Sequence, residues 1–288
     1  MSEELCTISL QNLSDIIRLV NESSRGTSLT SDLDLISFLS LWRYWNFSCQ
    51  YSLIRYVNGE PAALVLNCAD RESHDAYTFH WGALRKFRSR RLALDLMDAC
   101  CEKLRDDGYT TLYGDSIPDR PVRRYRFVQG HPQHDLVELQ ATHPSVPAAQ
   151  PPYEIRPTEI GTLSQAPLPS CAPVHWCHRH SFLESAAPFM NFFGAFSGGA
   201  LHAYAAVLTS PSSTVIVDIR SPRSCLSAGH ELLRFLFQTY RAPFTANFVF
   251  VRSYAHQLLT ASGFGVTRHF FMLSRDLRAT RPMTASPA

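Results

Sequence analysis

Lysine is almost absent from this chain of 288 residues, since only Lys86 and Lys103 accompany 25 arginines. The 25 acidic residues leave a formal net charge of only +2, so the sequence provides no global field that would hold nucleic acid. Eight scattered cysteines are too few for a disulfide-based scaffold, and the first residues carry no basic-then-apolar signal. We therefore expect a protein of the reducing cytoplasm.

Long hydrophobic runs are also missing, although no charged residue occurs from Ser185 to Val217. Pro188, the Gly198-Gly199 pair and Pro211 divide this stretch into pieces of strand length. A membrane-spanning helix needs about 20 continuous apolar residues, so we predict a buried hairpin and no membrane partner.

The composition is that of a folded protein, because 45% of the residues are hydrophobic and only 18% are charged. The length suits two domains of about 100–150 residues each. Residues 141–152 contain four prolines and no charge, which predicts a linker between domains at 1–140 and 153–277. Residues 278–288 are predicted to be a flexible tail.

The first half predicts an α/β arrangement with a mixed sheet. Asn58-Gly59 is typical of a tight hairpin turn, and the helix Arg91–Asp107 is predicted to end at Gly108. The other predicted strands are Thr7–Leu10, Tyr51–Tyr56, Ala62–Leu66, Ala76–Leu84, Thr111–Asp115 and Asp135–Gln140. The other predicted helices are one capped by Asn12 or Ser14 with Leu13, Ile16, Ile17 and Val20 on one face, and two near Ser31–Trp42 and Pro121–Phe127.

The second half repeats this order. Gly59 to Gly199 is 140 residues, Ala93 to Gly229 is 136, and Gly130 to Gly263 is 133, so three landmarks recur at nearly one offset. We infer a duplicated domain. The predicted elements are strands at Tyr153–Arg156, Asn191–Phe196, Ala200–Leu208, Thr214–Ile219, Ala246–Val251 and Thr267–Ser274, and helices at Ser227–Tyr240 and Tyr254–Ser262.

The segment from Trp81 to Ala93 is a strand that runs into a basic turn and then a helix. It resembles the signature of the GNAT superfamily of acyl-CoA-dependent N-acyltransferases, Arg/Gln-x-x-Gly-x-Gly/Ala. Arg88 and Ala93 match this signature, whereas Arg91 stands where glycine is usual. The resemblance covers residues 5–140, and a fainter copy covers 153–275, so it implies two tandem GNAT-like domains.

The resemblance implies acetyl-CoA or another acyl-CoA as co-substrate and a small-molecule or peptide amine as acceptor. A diphosphate at a helix N-terminus gains hydrogen bonds from backbone N–H groups, and basic side chains add charge-assisted bonds. The residues expected to bind the donor are Ala83, Leu84, Arg88, Ser89, Arg90, Arg91, Leu92 and Ala93. The alternative for this stretch is a solvated basic turn.

Transfer to an amine needs a base for the amine proton and an acid for the departing thiolate. By the resemblance Tyr125 is the candidate acid, and a backbone N–H near Ala83 or Leu84 would bind the oxyanion. Tyr113, on the predicted strand Thr111–Asp115, is the alternative hydroxyl. His80 and Asp115 are the candidate bases. Each of these side chains could instead be a packing or capping residue.

The corresponding loop of the second half, from Arg220 to Gly229, has a proline in the turn and its glycine late. We expect its nucleotide site to be lost and assign the donor to the first half. Cys171, His175, Cys177, His178 and His180 are dense enough to suggest zinc, but their spacing fits no common zinc site, so we expect no metal.

A non-catalytic role is the alternative function. Both copies would then be degenerate, and the arginine clusters at 85–91 and 120–126 would hold RNA or a phosphorylated partner. Nucleic acid is not the partner that we expect, and the oligomeric state is left open.

Overall fold

A computed structural model describes residues 2–24, 32–88, 90–116, 134–146, 153–165, 174–222 and 225–278. The chain forms two compact units. Unit 1 comprises the described residues of Met1–Gln133 and Leu273–Ala288, and unit 2 those of His134–Met272. The described residues of both contain α-helices and a mixed sheet, which confirms the α/β class.

In the described residues of unit 1 the strands are interspersed with three helices. Its elements are β1 (Glu3–Thr7), α1 (Leu13–Ser24), α2 (Leu35–Trp45), β2 (Leu53–Val57), β3 (Glu60–Asp70), β4 (Asp75–Ala83), α3 (Arg90–Asp106), β5 (Thr111–Ser116) and the last residues of β12 (Gly265–Asp276). The sheet order is β1-β2-β3-β4-β5-β12. The first four strands are antiparallel, and β5 runs parallel to β4.

The core of unit 1 follows from the helix pattern. Ile16 and Leu19 of α1 and Met97 and Leu104 of α3 are fully buried, as expected when apolar residues recur every three to four positions. Gly108 has a φ of +87°, a left-handed conformation that ends α3 without strain on a Cβ.

Unit 2 has the same alternation. Its elements are β6 (His134–Ala141), β7 (Glu154–Pro157), α4 (Ile160–Gln165), α5 (His180–Ala186), β8 (Asn191–Ser197), β9 (Ala200–Thr209), β10 (Thr214–Arg220), α6 (Leu226–Thr239), β11 (Phe244–Phe250), α7 (Tyr254–Ala261) and the first residues of β12. The sheet order is β12-β6-β11-β10-β9-β8-β7.

Strand β6 belongs to unit 2, whereas the sequence pattern predicted it in the first half. It lies between β12 and β11, antiparallel to both. Conversely, Leu273 and the residues after it belong to unit 1, where Leu277 donates a backbone hydrogen bond to the carbonyl of Thr110. Of the linker proposed at 141–152, Ser145 donates to the carbonyl of Ser262, and 147–152 lie outside the described residues.

Most predicted elements are confirmed within a few residues, and two differ. The first strand is Glu3–Thr7 rather than Thr7–Leu10, because Ser9 caps a short 3₁₀ turn with its side chain and ends the extended backbone. The stretch between β7 and β8, for which no helix or strand was predicted, contains α4 and α5. The predicted helix at Pro121–Phe127 lies outside the described residues.

The uncharged stretch from Ser185 to Val217 contains the hairpin β8–β9, as predicted, with Gly198 and Gly199 at positive φ in the turn. Across the described part of the chain no helix is long and apolar enough to cross a membrane.

A β-bulge recurs at matching places in the two units. In unit 1 the register passes from Leu66↔His80 to Asn67↔Thr78, which makes Phe79 the extra residue of β4. In unit 2 it passes from Ile216↔Val207 to Asp218↔Ala206, which makes Val217 the extra residue of β10. Phe79 and Val217 are 138 residues apart, within the range of the sequence offsets, and this supports the duplication.

Candidate functional site

The bulged strand of unit 1 separates from its parallel neighbour. Pairing between β4 and β5 covers Asp75–Thr78 and Thr111–Gly114, whereas β4 continues to Ala83 and β5 to Ser116. Among the described residues the two strands are therefore unpaired beyond Thr78, and the sheet opens there into a fork.

Backbone groups at the end of β4 point into this fork. Leu84 donates its N–H to the carbonyl of Ala62 on β3, at 3.0 Å. Because residues of an antiparallel ladder face the partner strand alternately, the N–H and C=O of Ala83 point the other way, toward the open side. Of the two predicted oxyanion donors, Ala83 has the fitting direction, and Leu84 is already hydrogen-bonded.

His80 lies on β4 beside the fork and contacts α1. Its Nε2 is 2.9 Å from the Oγ of Ser23. The Ser23 hydroxyl also donates to the carbonyl of Leu19, and a hydroxyl has only one proton to donate. We infer that His80 donates from Nε2 and carries its lone pair on Nδ1. Burial lowers the pKa of this imidazole to about 4, so the ring is neutral near pH 7.

The basic turn between β4 and α3 is partly engaged by the protein itself. Arg88 donates from Nε to the carbonyl of Ala83 and from Nη2 to that of Ser23, both at 3.3 Å. Lys86 pairs with Glu60 and lies 5.1 Å from the ring centroid of Phe87. Arg88 thus ties the end of α1 to the end of β4, a role that the sequence did not indicate.

The remaining predicted donor residues lie at the start of α3. Arg90, Arg91 and Ala93 are in its first turn, Leu92 is buried, and Ser89 lies outside the described residues.

The predicted catalytic side chains have different partners. Asp115, on β5, accepts a hydrogen bond from the hydroxyl of Tyr77 at 2.5 Å, and the Tyr77 ring stacks on Trp45 at 5.8 Å. His80 contacts Ser23 instead. Tyr125 lies outside the described residues, so its position relative to the other two stays a prediction.

Unit 2 contains a second fork, with a cavity in it. Pairing between β10 and β11 covers only Thr214–Ile216 and Phe244–Ala246, and the strands then separate. A cavity of about 60 Å³ lies at the fork, lined by both strands, by α7 and by the segment that contains His178.

Asp218 is the charged centre of this cavity, and the sequence patterns had not predicted it as a site residue. Its carboxylate is 6% exposed, and Oδ2 accepts hydrogen bonds from the Tyr204 hydroxyl at 2.5 Å and from Nε of Arg220 at 2.9 Å. Burial and the neighbouring carboxylate raise the pKa of Tyr204. A lone aspartate in the apolar strand Thr214–Arg220 was the available signal, since buried carboxylates are rare unless they are paired.

The cysteine- and histidine-rich segment takes part in packing. The ring of His175 stacks on Phe248 at 4.3 Å, and its Nδ1 is 3.0 Å from the Sγ of Cys177. The described residues contain no group of three or more side chains placed to bind a metal, and Cys171 lies outside them.

Comparison with solved structures identifies the fold. A tandem GNAT protein from the clavulanic acid biosynthesis pathway superposes with a TM-score of 0.70 at 12% identity, over 97% of this chain and 100% of that one. The chain has a tandem GNAT fold. A GCN5-related N-acetyltransferase from Sphaerobacter thermophilus gives 0.68 at 13% identity, over 99% and 98% of the two chains. One from Anabaena variabilis gives 0.66 at 9% identity, over 96% and 73%.

No protein-family model and no curated protein matches the sequence. The GNAT resemblance drawn from residues 81–93 is nevertheless confirmed at the level of the fold, because the solved structures cover nearly the whole chain.

Proposed function

We propose that this protein is an acyl-CoA-dependent N-acyltransferase, which moves an acyl group, such as acetyl, to the amine of a small molecule or peptide by direct attack. The observation that carries the proposal is the fork of unit 1, where β4 leaves β5 and the N–H of Ala83 faces the opening. The tandem GNAT fold, which two solved N-acetyltransferases share at low identity, supports it.

The donor is proposed to bind in unit 1, at the junction of β4 and α3. The N–H of Ala83 is directed into the fork, where an oxyanion would form on the acyl carbonyl. The N-terminus of α3, which begins at Arg90, and the exposed side chain of Arg85 provide positive charge for a diphosphate. Arg88 would join them by exchanging its two long hydrogen bonds to backbone carbonyls for charged oxygens.

Acyl-CoA supplies the acyl group as an activated thioester. The side chains have to remove one proton from the attacking amine and to return one to the departing sulfur. His80 is neutral and has its lone pair on Nδ1, and Asp115 is the other candidate base. Tyr125 is the proposed acid, with Tyr113 on β5 as the second hydroxyl.

Calorimetric titration with acetyl-CoA tests the proposal. We expect saturable binding that Arg88→Ala weakens by about tenfold, since a charge-assisted hydrogen bond contributes roughly 1.5–3 kcal/mol. Arg105→Ala is the matched control, because it removes an exposed arginine near the opposite end of α3. Arg223→Ala, in the corresponding loop of the second half, should also leave the affinity unchanged.

Three results would contradict the proposal. Absence of acetyl-CoA binding would reject the function, and an unchanged affinity of Arg88→Ala would reject the donor site. Saturable RNA binding without acetyl-CoA binding would favour a non-catalytic module instead.

A further inference from the structure

The cavity in the fork of unit 2 is apolar along most of its wall and polar at one end. Its apolar lining includes Ile216, Val249, Leu258 and Leu259, whereas Asp218, Arg220 and His178 provide charged and polar groups. A volume of about 60 Å³ holds a few non-hydrogen atoms, because one water molecule needs roughly 10–15 Å³ by the same measure.

Three donors at the polar end hydrogen-bond to acceptors of the protein itself. Arg220 uses Nε for Asp218 and Nη2 for the carbonyl of His178, and the Tyr204 hydroxyl also donates to Asp218. All three bonds keep Arg220 and Tyr204 turned toward the protein's own acceptors.

Two acceptors at the same end lack a donor. Both hydrogen bonds to Asp218 reach Oδ2, and within the described structure no hydrogen bond reaches Oδ1. The Nε2 of His178 is fully enclosed and has no hydrogen-bond partner there. The His178 ring also bonds the backbone of Asn247, which leaves Nε2 as the unpaired ring nitrogen.

His178 is an acceptor because its ring is neutral. Burial lowers the pKa of this imidazole to about 4, and the nearby Asp218 carboxylate opposes that shift only in part. An enclosed acceptor without a donor is destabilising relative to a satisfied one, because it has lost its hydrogen bonds to water. A ligand that brings two or more N–H donors would satisfy Nε2 of His178 and also bond Oδ1 of Asp218.

We propose that this cavity binds a small aliphatic primary amine, with its N–H groups directed at Oδ1 of Asp218 and Nε2 of His178. The amine suits the site better than an alcohol, because an ammonium or amino group has at least two donors and a hydroxyl has one. A carboxylate acceptor also binds a charged donor more strongly than a neutral one. The inference concerns binding in unit 2 and holds whether or not unit 1 transfers acyl groups.

Three probes with one carbon skeleton test the inference on the full chain: isobutylammonium, isobutanol and isobutyrate. NMR spectra of protein with labelled leucine and valine methyls report where each probe binds. We expect saturable shifts and intermolecular NOEs at Val249, Leu258 and Leu259 with isobutylammonium. Isobutanol should bind at least tenfold more weakly, and isobutyrate, which offers no donor, should not bind.

Variants test the two acceptors. Asp218→Asn should weaken isobutylammonium at least tenfold, and Asp276→Asn, which alters an exposed carboxylate paired with Arg278, should not change it. His178→Phe keeps an aromatic ring and removes the lone pair, and should also weaken binding.

The probe series needs no variant, so it decides the question even if Asp218→Asn does not fold. Equal binding of isobutyrate or isobutanol, or NOEs to methyls outside the cavity, would overturn the inference. Acetyl-CoA titrated in parallel separates this result from the proposed function, because neither outcome depends on the other.

Discussion

Ser23 of α1 lies against the space that a side chain at Gly82 would occupy. A Cβ built on Gly82 would be 2.5 Å from both the Cβ and the Oγ of Ser23, and 3.1 Å from Nε2 of His80. Helix α1 therefore reaches the backbone of β4 at the fork of unit 1. This close approach also sets the hydrogen bond between Ser23 and His80.

Gly82→Ala should destabilise the protein by about 1–3 kcal/mol, because the added methyl would overlap Ser23. Urea unfolding measures the change. Gly114→Ala on β5 is the control, since its Cβ would be no closer than 3.7 Å to any neighbour and should cost much less. In a Ser23→Gly variant, Gly82→Ala should lower the free energy of unfolding by less than it does in the parent protein. An equal loss in the two proteins would refute the overlap.

Stability should fall as the pH is lowered from about 6.5 toward 4. His80 and His178 both have a pKa of about 4 in the folded protein, below the ordinary value of 6.5. Between pH 6.5 and 4 the unfolded chain takes up protons that the folded chain does not. The stability that the two neutral rings contribute is therefore complete above pH 6.5 and is lost as the pH falls toward 4. A shift of about 2.5 pH units corresponds to roughly 3 kcal/mol for each ring.

Urea unfolding between pH 7.5 and 5 measures the slope of stability against pH. His80→Gln and His178→Gln should each flatten it, whatever they do to stability at pH 7.5. The explanation fails if both variants keep the slope of the parent protein.

Tyr125→Phe should lower turnover by about 10–10⁴-fold, the range for one positioned acid. The ring stays and only the hydroxyl is removed, so the affinity for acetyl-CoA should persist. Release of the free CoA thiol measures turnover once an acceptor is known. Tyr113→Phe is assayed in parallel, and a loss confined to Tyr113→Phe would move the acid to β5.

Asn67→Leu should destabilise unit 1 by about 2–4 kcal/mol, because the buried amide bonds α3, β4 and the turn before β2 at once. It donates to the carbonyl of Tyr51 at 2.6 Å and to Sγ of Cys100 at 2.8 Å, and accepts from the hydroxyl of Thr78 at 2.8 Å. Thermal unfolding measures the effect. Thr78→Val removes one of these bonds and should cost less, and the reverse order would contradict the role of Asn67.

Local patterns in the sequence determined the elements, the duplication and the resemblance. Asn58-Gly59 set a hairpin turn because both residues tolerate positive φ, and the periodic apolar residues of α3 set a buried face, since each depends only on near neighbours. Ala83, Arg88 and His80, in the candidate site of unit 1, were also predicted from short-range sequence patterns.

Only the tertiary structure decided which groups meet. Residues 57 apart in the chain, Ser23 and His80, contact each other at the fork, and Arg88 bonds the carbonyl of Ser23 as well as that of Ala83. Asp218, on β10, lies near His178, which precedes α5. Strand β6 belongs to unit 2 and not to the first half, where the sequence pattern placed it. Such contacts depend on strand order and on a bulge that turns one strand. No local pattern encodes them, because each requires two distant segments to pack together first.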